Sequence, residues 1–212
     1  MNIWQIENKF YHHSDPTRII KIVYHYEIYK MITQLSGDII ECGVFKGNSL
    51  NRFLSFRKYL ETQSKRFIYG LDVFGSFPPQ KIKQDNLFAK KHDTVAGNGY
   101  KKKDLEINFK KKGFKNFKLI KGDINKTIPK LLKNKNKIEI SLLHLDLDVY
   151  QPTLFALNNF KDRIVKNGII LVDDYNIVDG ATKAVDEFLK ENKKLTLKKL
   201  NLLPNPSYII YK

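Results

Sequence analysis

Gly37-Asp38-Ile39-Ile40-Glu41-Cys42-Gly43-Val44-Phe45-Lys46-Gly47-Asn48-Ser49 passes from a short apolar strand into a glycine turn and then into residues able to start a helix. The two glycines let the backbone bend closely past a ligand, and the helix that follows offers free amides. A glycine turn after one strand carries little weight alone; its repetition in kind does. Downstream, strands are expected at 38–43, 66–72, 116–121, 138–146 and 168–173, separated by helices at 48–63, 101–112, 125–135, 151–164 and 180–191. Such alternation predicts a mostly parallel sheet with helices on both faces. Residues 194–200 and 207–211 flank Pro204-Asn205-Pro206 and read as an antiparallel C-terminal hairpin. The expected fold is α/β and Rossmann-like, with seven strands.

Acids stand where two of these strands end. Leu142-Leu143-His144-Leu145-Asp146-Leu147-Asp148 delivers two carboxylates, and the run from Gly168 to Val172 ends in Asp173-Asp174. In open α/β sheets ligands bind beyond the carboxyl ends of the strands. Hard divalent cations take oxygen ligands, so acids converging on one sheet edge point to a magnesium-type metal. His144 lies two residues before Asp146 and so faces the same side; a hydrogen-bonded core histidine is the favoured reading. Asp148 is read either as support for the metal ligands or as a cap for the helix near Pro152.

The glycine turn suggests the other ligand. Glu41 precedes Gly43 within the strand, and there is no G-x-G-x-x-G. A carboxylate there accepts a hydrogen bond from a cationic amine and repels a pyrophosphate, which disfavours NAD and favours S-adenosylmethionine. Asp72, at the end of the second strand, is placed to chelate ribose hydroxyls. Asp123 either meets the adenine or caps the helix beginning near Asn125.

The chain has 212 residues, 42% hydrophobic and 28% charged, which suits one α/β domain at 37–212 with an N-terminal helical extension at 1–36. In that extension Asp15-Pro16 reads as N-cap and first helical residue, with Ile19, Ile20, Val23, Tyr26, Ile28 and Met31 as its apolar positions. His12 and His13 are read as surface residues. The stretch of about 74–100, with Pro78-Pro79 and Gly97-Asn98-Gly99 at its ends, resists assignment and is expected to be a lid. His92 within it is the candidate general base, since imidazole titrates near neutrality. The formal charge of +16, from 38 Lys and Arg against 22 Asp and Glu, raises an anionic acceptor or nucleic acid as partners. No aromatic RNA-binding motif accompanies the lysine runs, so nucleic acid is the weaker expectation. The single Cys42 is read as a buried small hydrophobe in a reducing compartment, hence the cytoplasm. No apolar stretch reaches the length of a membrane span, and Met1 to Glu7 lacks the pattern of a secretion signal.

Three ordered blocks carry a resemblance: Gly37 to Ser49, Leu145-Asp146-Leu147-Asp148-Val149-Tyr150-Gln151-Pro152-Thr153, and Val172-Asp173-Asp174-Tyr175, followed by Ala184-Val185-Asp186-Glu187-Phe188. Together they resemble the macrocin O-methyltransferase family. The resemblance implies a class I methyltransferase fold, S-adenosylmethionine as donor, a magnesium-type ion, and methylation of a hydroxyl, commonly on a sugar of a natural product or polysaccharide. It implies a donor site at Glu41, Gly43, Val44, Phe45, Gly47 and Ser49 with Asp72 and Asp123. The implied metal ligands are Asp146, Asp173 and Asp174, with Asp146 also catalytic, and a homodimer is the implied assembly. Leu147 departs from the glycine often found between the two acids, which narrows the expected acceptor pocket. Two alternatives remain open at this level. One is a catechol-like vicinal diol stacked on Phe74, Phe77 and Phe88; the other is an RNA-binding protein or RNA methyltransferase, against which the acid cluster counts.

Overall fold

In the computed structural model, which describes residues 2–63 and 65–212, five strands run parallel: β1 (Asp38–Cys42), β2 (Ile68–Asp72), β3 (Phe117–Lys121), β4 (Ile140–Leu145) and β5 (Ile164–Val172). Two short strands, β6 (Leu197–Lys198) and β7 (Ser207–Ile210), close the sheet antiparallel, giving the order β3-β2-β1-β4-β5-β7-β6. The chain winds outward from β1 to β3, then returns to place β4 on the other side of β1. The β1/β4 junction is therefore the switch point at which such sheets bind ligands.

Alternation along the strands sends side chains to two cores. Ile40, Leu143 and Ile170 pack under α6 (Ile124–Asn134), α7 (Tyr150–Phe160) and α8 (Asp179–Glu191). Their neighbours Ile39, Leu142 and Ile169 pack under α2 (Pro16–Ile32), α3 (Asn48–Leu60) and α5 (Lys102–Lys111). A strand buried on both faces reads as a continuous apolar run, which is how β4 appears in the sequence. Cys42 is free and fully buried, and burial pushes its thiol pKa up, in keeping with a small hydrophobe.

Two expectations need correction. Residues 74–100 are not structureless: α4 (Lys83–Ala96) occupies half of them. Its flanking prolines and glycines hid a helix whose exposed face carries few apolar residues. The extension holds two helices, α1 (Ile3–His13) and α2, with Asp15 capping the second through the Thr17 amide as expected. The buried face of α2 is Tyr24, His25, Ile28, Tyr29 and Ile32, while the expected Val23 and Met31 lie exposed. Apolar residues surround this helix, so periodicity alone did not choose its inner face. His12 and His13 are exposed at the end of α1, as expected.

Arg66 ties the sheet to the extension. It donates to the carbonyls of Ile32, Leu35 and Gly37, to the Ser141 hydroxyl, and to Glu61 at 3.1 Å. These acceptors come from the end of α2, the entry to β1, the strand β4 and the end of α3. Arg66→Met removes every donor at once and leaves the Glu61 carboxylate with the Tyr29 hydroxyl but no cation. Its unfolding free energy in urea is expected to fall by about 3–5 kcal/mol; a loss below about 1 kcal/mol would show that the guanidinium is not a structural tie.

Candidate active site

A cavity of about 560 Å³ opens at the carboxyl edge of the sheet, bordered by the ends of β1, β2, β3, β4 and β5, by the lid and by α2. This lies within the usual range for small-molecule sites. At its centre β1 and β4 touch. Gly43 has φ +88°, and a Cβ there would stand 1.8 Å from the Asp146 carbonyl oxygen, so no other residue fits. The Asp146 amide donates to the Cys42 carbonyl and the Asp173 amide to the Leu145 carbonyl, both extending the ladder past the strand ends.

Asp72 braces the turn after β1. Its carboxylate accepts from the amides of Val44 (2.7 Å), Phe45 (2.9 Å) and Phe74 (2.5 Å) while still bordering the cavity. Asp123 caps α6 through the Asn125 amide at 2.9 Å, the helix-cap alternative, and also borders the cavity. Gly43 and Phe45 line it too. The remaining four residues of the expected donor site do not. Glu41 is fully buried, accepting from Ser49 Oγ at 2.9 Å and facing His144 Nδ1 at 3.3 Å. Val44 belongs to the apolar core, and Gly47 packs against Leu105 and Phe109 in a left-handed turn. Glu41 points under α3 because the β1 side chains alternate, a parity that places the acid in the core beneath the turn, where Ser49 of α3 meets it.

Four aspartates stand at the ends of β4 and β5, and all border the cavity. The structure groups them differently from the expected triad. Asp146, Asp148 and Asp174 each offer an oxygen within 4.8 Å of the others, whereas Asp173 turns inward to Lys21, His25 and His144. Asp148 reaches this position through a left-handed backbone, φ +62°, which aspartate tolerates better than most residues. The two groups titrate apart. Burial and the charges of Asp173 and Asp174 hold the Asp146 carboxyl well above the usual range, and burial with Asp148 and Asp173 does the same for Asp174. Burial and the Asp146 charge raise Asp148 to about 7. Asp173 goes the other way: burial opposes ionisation, but the ring nitrogens of His144 (3.7 Å) and His25 (3.8 Å) and the Lys21 charge outweigh it.

The inward cluster was largely missed by sequence reasoning. His144 is a core histidine, as expected, but not a neutral one. Burial would lower its pKa, but the carboxylates of Asp173 at 3.7 Å and Glu41 at 3.3 Å raise it to about 10, so it is a buried cation between two acids. His25 stays neutral, lowered to about 4 by burial, against Asp173, with its ring stacked on Phe53 at 5.2 Å. Lys21 and His25 come from α2, four residues apart on one helical face, and that spacing was the available signal.

The lid is fastened at both ends. Asp85, buried in the first turn of α4, accepts from the Tyr150 amide at 2.9 Å and sits tight against Gly180. Lys46 donates to the Ala96 carbonyl, and the Tyr100 amide to the Phe45 carbonyl. His92 borders the cavity among the rings of Phe45, Phe77 and Phe88. Of the three rings proposed to stack on a catechol, only Phe77 lines the cavity; Phe74 is core.

Solved structures share this architecture. The calicheamicin methyltransferase CalS11, also described as a TDP-rhamnose 3'-O-methyltransferase, matches at 20% identity and TM-score 0.76, covering 100% of this chain and 86% of that one. The O-methyltransferase NovP matches at 19% identity and TM-score 0.78, over 91% and 79% of the two chains. The S-adenosylhomocysteine-bound Podospora anserina methyltransferase PaMTH1 matches at 17% and 0.57, over 100% and 89%. The sheet order and edge cavity thus define the class I methyltransferase fold. A family model described as Macrocin-O-methyltransferase (TylF) matches residues 26–201, and the chain belongs to that family. It is an O-methyltransferase. No curated protein sequence matches it.

Asp85→Ala removes the lid's anchor on α7. Loss of a hydrogen bond to a charged acceptor corresponds to about 1.5–3 kcal/mol, so amide exchange across 77–96 should accelerate by roughly tenfold to a hundredfold. Unchanged exchange there would mean that the lid is held by other contacts.

Proposed function

We propose that this enzyme transfers a methyl group from S-adenosylmethionine to a hydroxyl of a saccharide, in a natural product or surface polysaccharide, with the help of a magnesium-type ion. The observation that carries this reading is the Asp146, Asp148 and Asp174 cluster beside a braced glycine turn in one cavity. The sugar acceptor is supported by family membership. The residues fit both groups. Three carboxylates that repel one another, with Asp174 Oδ2 buried and unpartnered, suit a hard cation better than solvent. The absence of a Cβ at Gly43 and the rigid Val44 and Phe45 amides leave a fixed concave floor near Asp72 and Asp123.

When bound, the donor supplies an electrophilic methyl on a sulfonium sulfur, and the ion supplies a fixed positive charge that lowers the pKa of a nearby hydroxyl. Asp146, Asp148 and Asp174 would hold the ion, with Asp173 kept ionised beside them by Lys21 and His144. Asp72 keeps the turn in shape, and Asp123 borders the far end for the nucleoside. His92 is assigned as the group that takes the hydroxyl proton, standing on the lid wall within an aromatic ring that limits water. The lid, anchored by Asp85, closes this compartment. No helix among the described residues is long and apolar enough to cross a membrane; the reading of a cytoplasmic enzyme rests on the single buried thiol.

Protonated carboxyls cannot serve as ligands. Since Asp148 titrates near 7 and its two partners above the usual range, magnesium affinity should fall as pH drops from 8 to 6, and binding should release protons. Calorimetry in buffers of different ionisation enthalpy reads both effects; an affinity that is flat over that range contradicts the assignment.

Asp146→Ala should lower turnover by at least about a hundredfold while S-adenosylhomocysteine affinity stays within a few-fold. Asp72→Ala should weaken S-adenosylhomocysteine first, because three loop amides lose their acceptor. Glu41→Gln, buried away from the cavity, should reduce stability more than donor affinity. Full turnover of Asp146→Ala in EDTA would overturn the metal role.

A further inference from the structure

One wall of the cavity is cationic, and one of its two charges has no bonded partner. Arg18 and Lys21, both on α2, border the space into which the aspartates face. Lys21 is matched by Asp173. Arg18 is exposed, and its guanidinium makes no hydrogen bond or ion pair among the described residues. Arg52, half-buried on α3, likewise makes no hydrogen bond or ion pair among the described residues; burial and then the Arg18 charge lower its pKa, partly offset by the charges of Asp173, Glu41 and Asp146. Arg18 borders the cavity, and Arg52, outside its lining, is near enough for the two charges to repel; with no carboxylate bonded to either guanidinium, the pair is an arrangement that an anion completes.

Their place in the fold says which ligand carries that anion. Arg18 stands one helical turn before Lys21, which touches Asp173 at the end of β5. The donor-fitted end, at Asp72 and Asp123, lies after β2 and β3, on the other side of β1 and β4 in the sheet order. Arg18 therefore belongs to the acceptor end, with the Arg52 charge near it. We propose that Arg18 and Arg52 form an anion subsite there, and that the acceptor is a saccharide bearing a phosphate or carboxylate group. This rests on the sugar O-methyltransferase reading and narrows its acceptor. The formal charge of +16 would draw such a substrate toward the site.

The test is calorimetric titration of the full chain, without divalent cations so that no anion is held through a metal. The probes are inorganic pyrophosphate, glucuronate and neutral methyl glucoside; S-adenosylhomocysteine is titrated separately. The wild type should bind at least one of the two anions, and more tightly than methyl glucoside. Preference for pyrophosphate indicates a phosphorylated or nucleotide-linked sugar, and preference for glucuronate an acidic sugar. Arg18→Gln and Arg52→Gln should each weaken the anion at least tenfold. Lys194→Gln, which removes the same charge from an exposed position outside the cavity lining, should stay within twofold. Arg18 is exposed, so its variant keeps the fold and decides the matter. Absence of anion binding by the wild type, or equal affinity in Arg18→Gln and Lys194→Gln, overturns the proposal. Failure of S-adenosylhomocysteine to bind would instead overturn the donor reading, and the anion result would stand independently.

Discussion

Repulsion among four carboxylates at the ends of two adjacent strands is the constraint around which this molecule is arranged. Like charges about 4 Å apart at an effective dielectric of about 20 oppose one another by about 4 kcal/mol. The chain answers this in two ways. Asp173 is neutralised from within, by Lys21 and by the protonated His144, which Glu41 holds from its other side. Asp146, Asp148 and Asp174 receive no such partner, and their carboxyls hold protons further up the pH scale instead. Asp173 is held ionised from within; the other three acids hold their protons to higher pH and face the cavity. Environments that drive like groups apart in pKa are the usual mark of a site with divided roles.

The division depends on backbone contact at the switch point. Because Gly43 lets the turn after β1 lie directly on the Asp146 carbonyl, the braced glycine turn and the acid cluster share one cavity. A side chain at 43 would push them apart. Asp72 fixes the same turn from the β2 side, so its carboxylate supports the floor of the cavity through three amides. The ribose contact expected of Asp72 from the sequence would have to be made by an acid already engaged in this way.

The sheet was legible because strand and helix periods alternate cleanly from Gly37 to Phe188, and the acids were legible because they follow apolar runs. What stayed hidden depends on three-dimensional neighbours. Glu41 looked like a ligand group from its place before the glycine turn, but strand parity buries it. Asp148 had two equal readings in the sequence and joins the cluster through an unusual backbone angle that no pattern announces. The helix α4 sits between prolines and glycines that signal a loop, and its one buried acid, Asp85, finds its partner 65 residues away at Tyr150. His144 looked like a core residue because it is one; its charge comes from two acids on other strands.

The N-terminal extension proves to be part of the site. Arg18, Lys21 and His25 recur at intervals of three and four, which places them along one face of α2. His25 packs against the buried cluster, Lys21 neutralises Asp173, and Arg18 reaches the cavity mouth, so the face runs from core to solvent across the acceptor end. All three precede residue 26, where the match to the family begins. The sheet edge that would hold donor and cation lies inside the matched segment, while this wall lies before it. A helix attached through one such face can change its outermost residue without disturbing the strands beneath. Under the proposed assignment, that separation would leave the wall formed by α2 free to change while the sheet edge beneath it stays the same, and substitutions at Arg18 would act on the acceptor before they act on the fold.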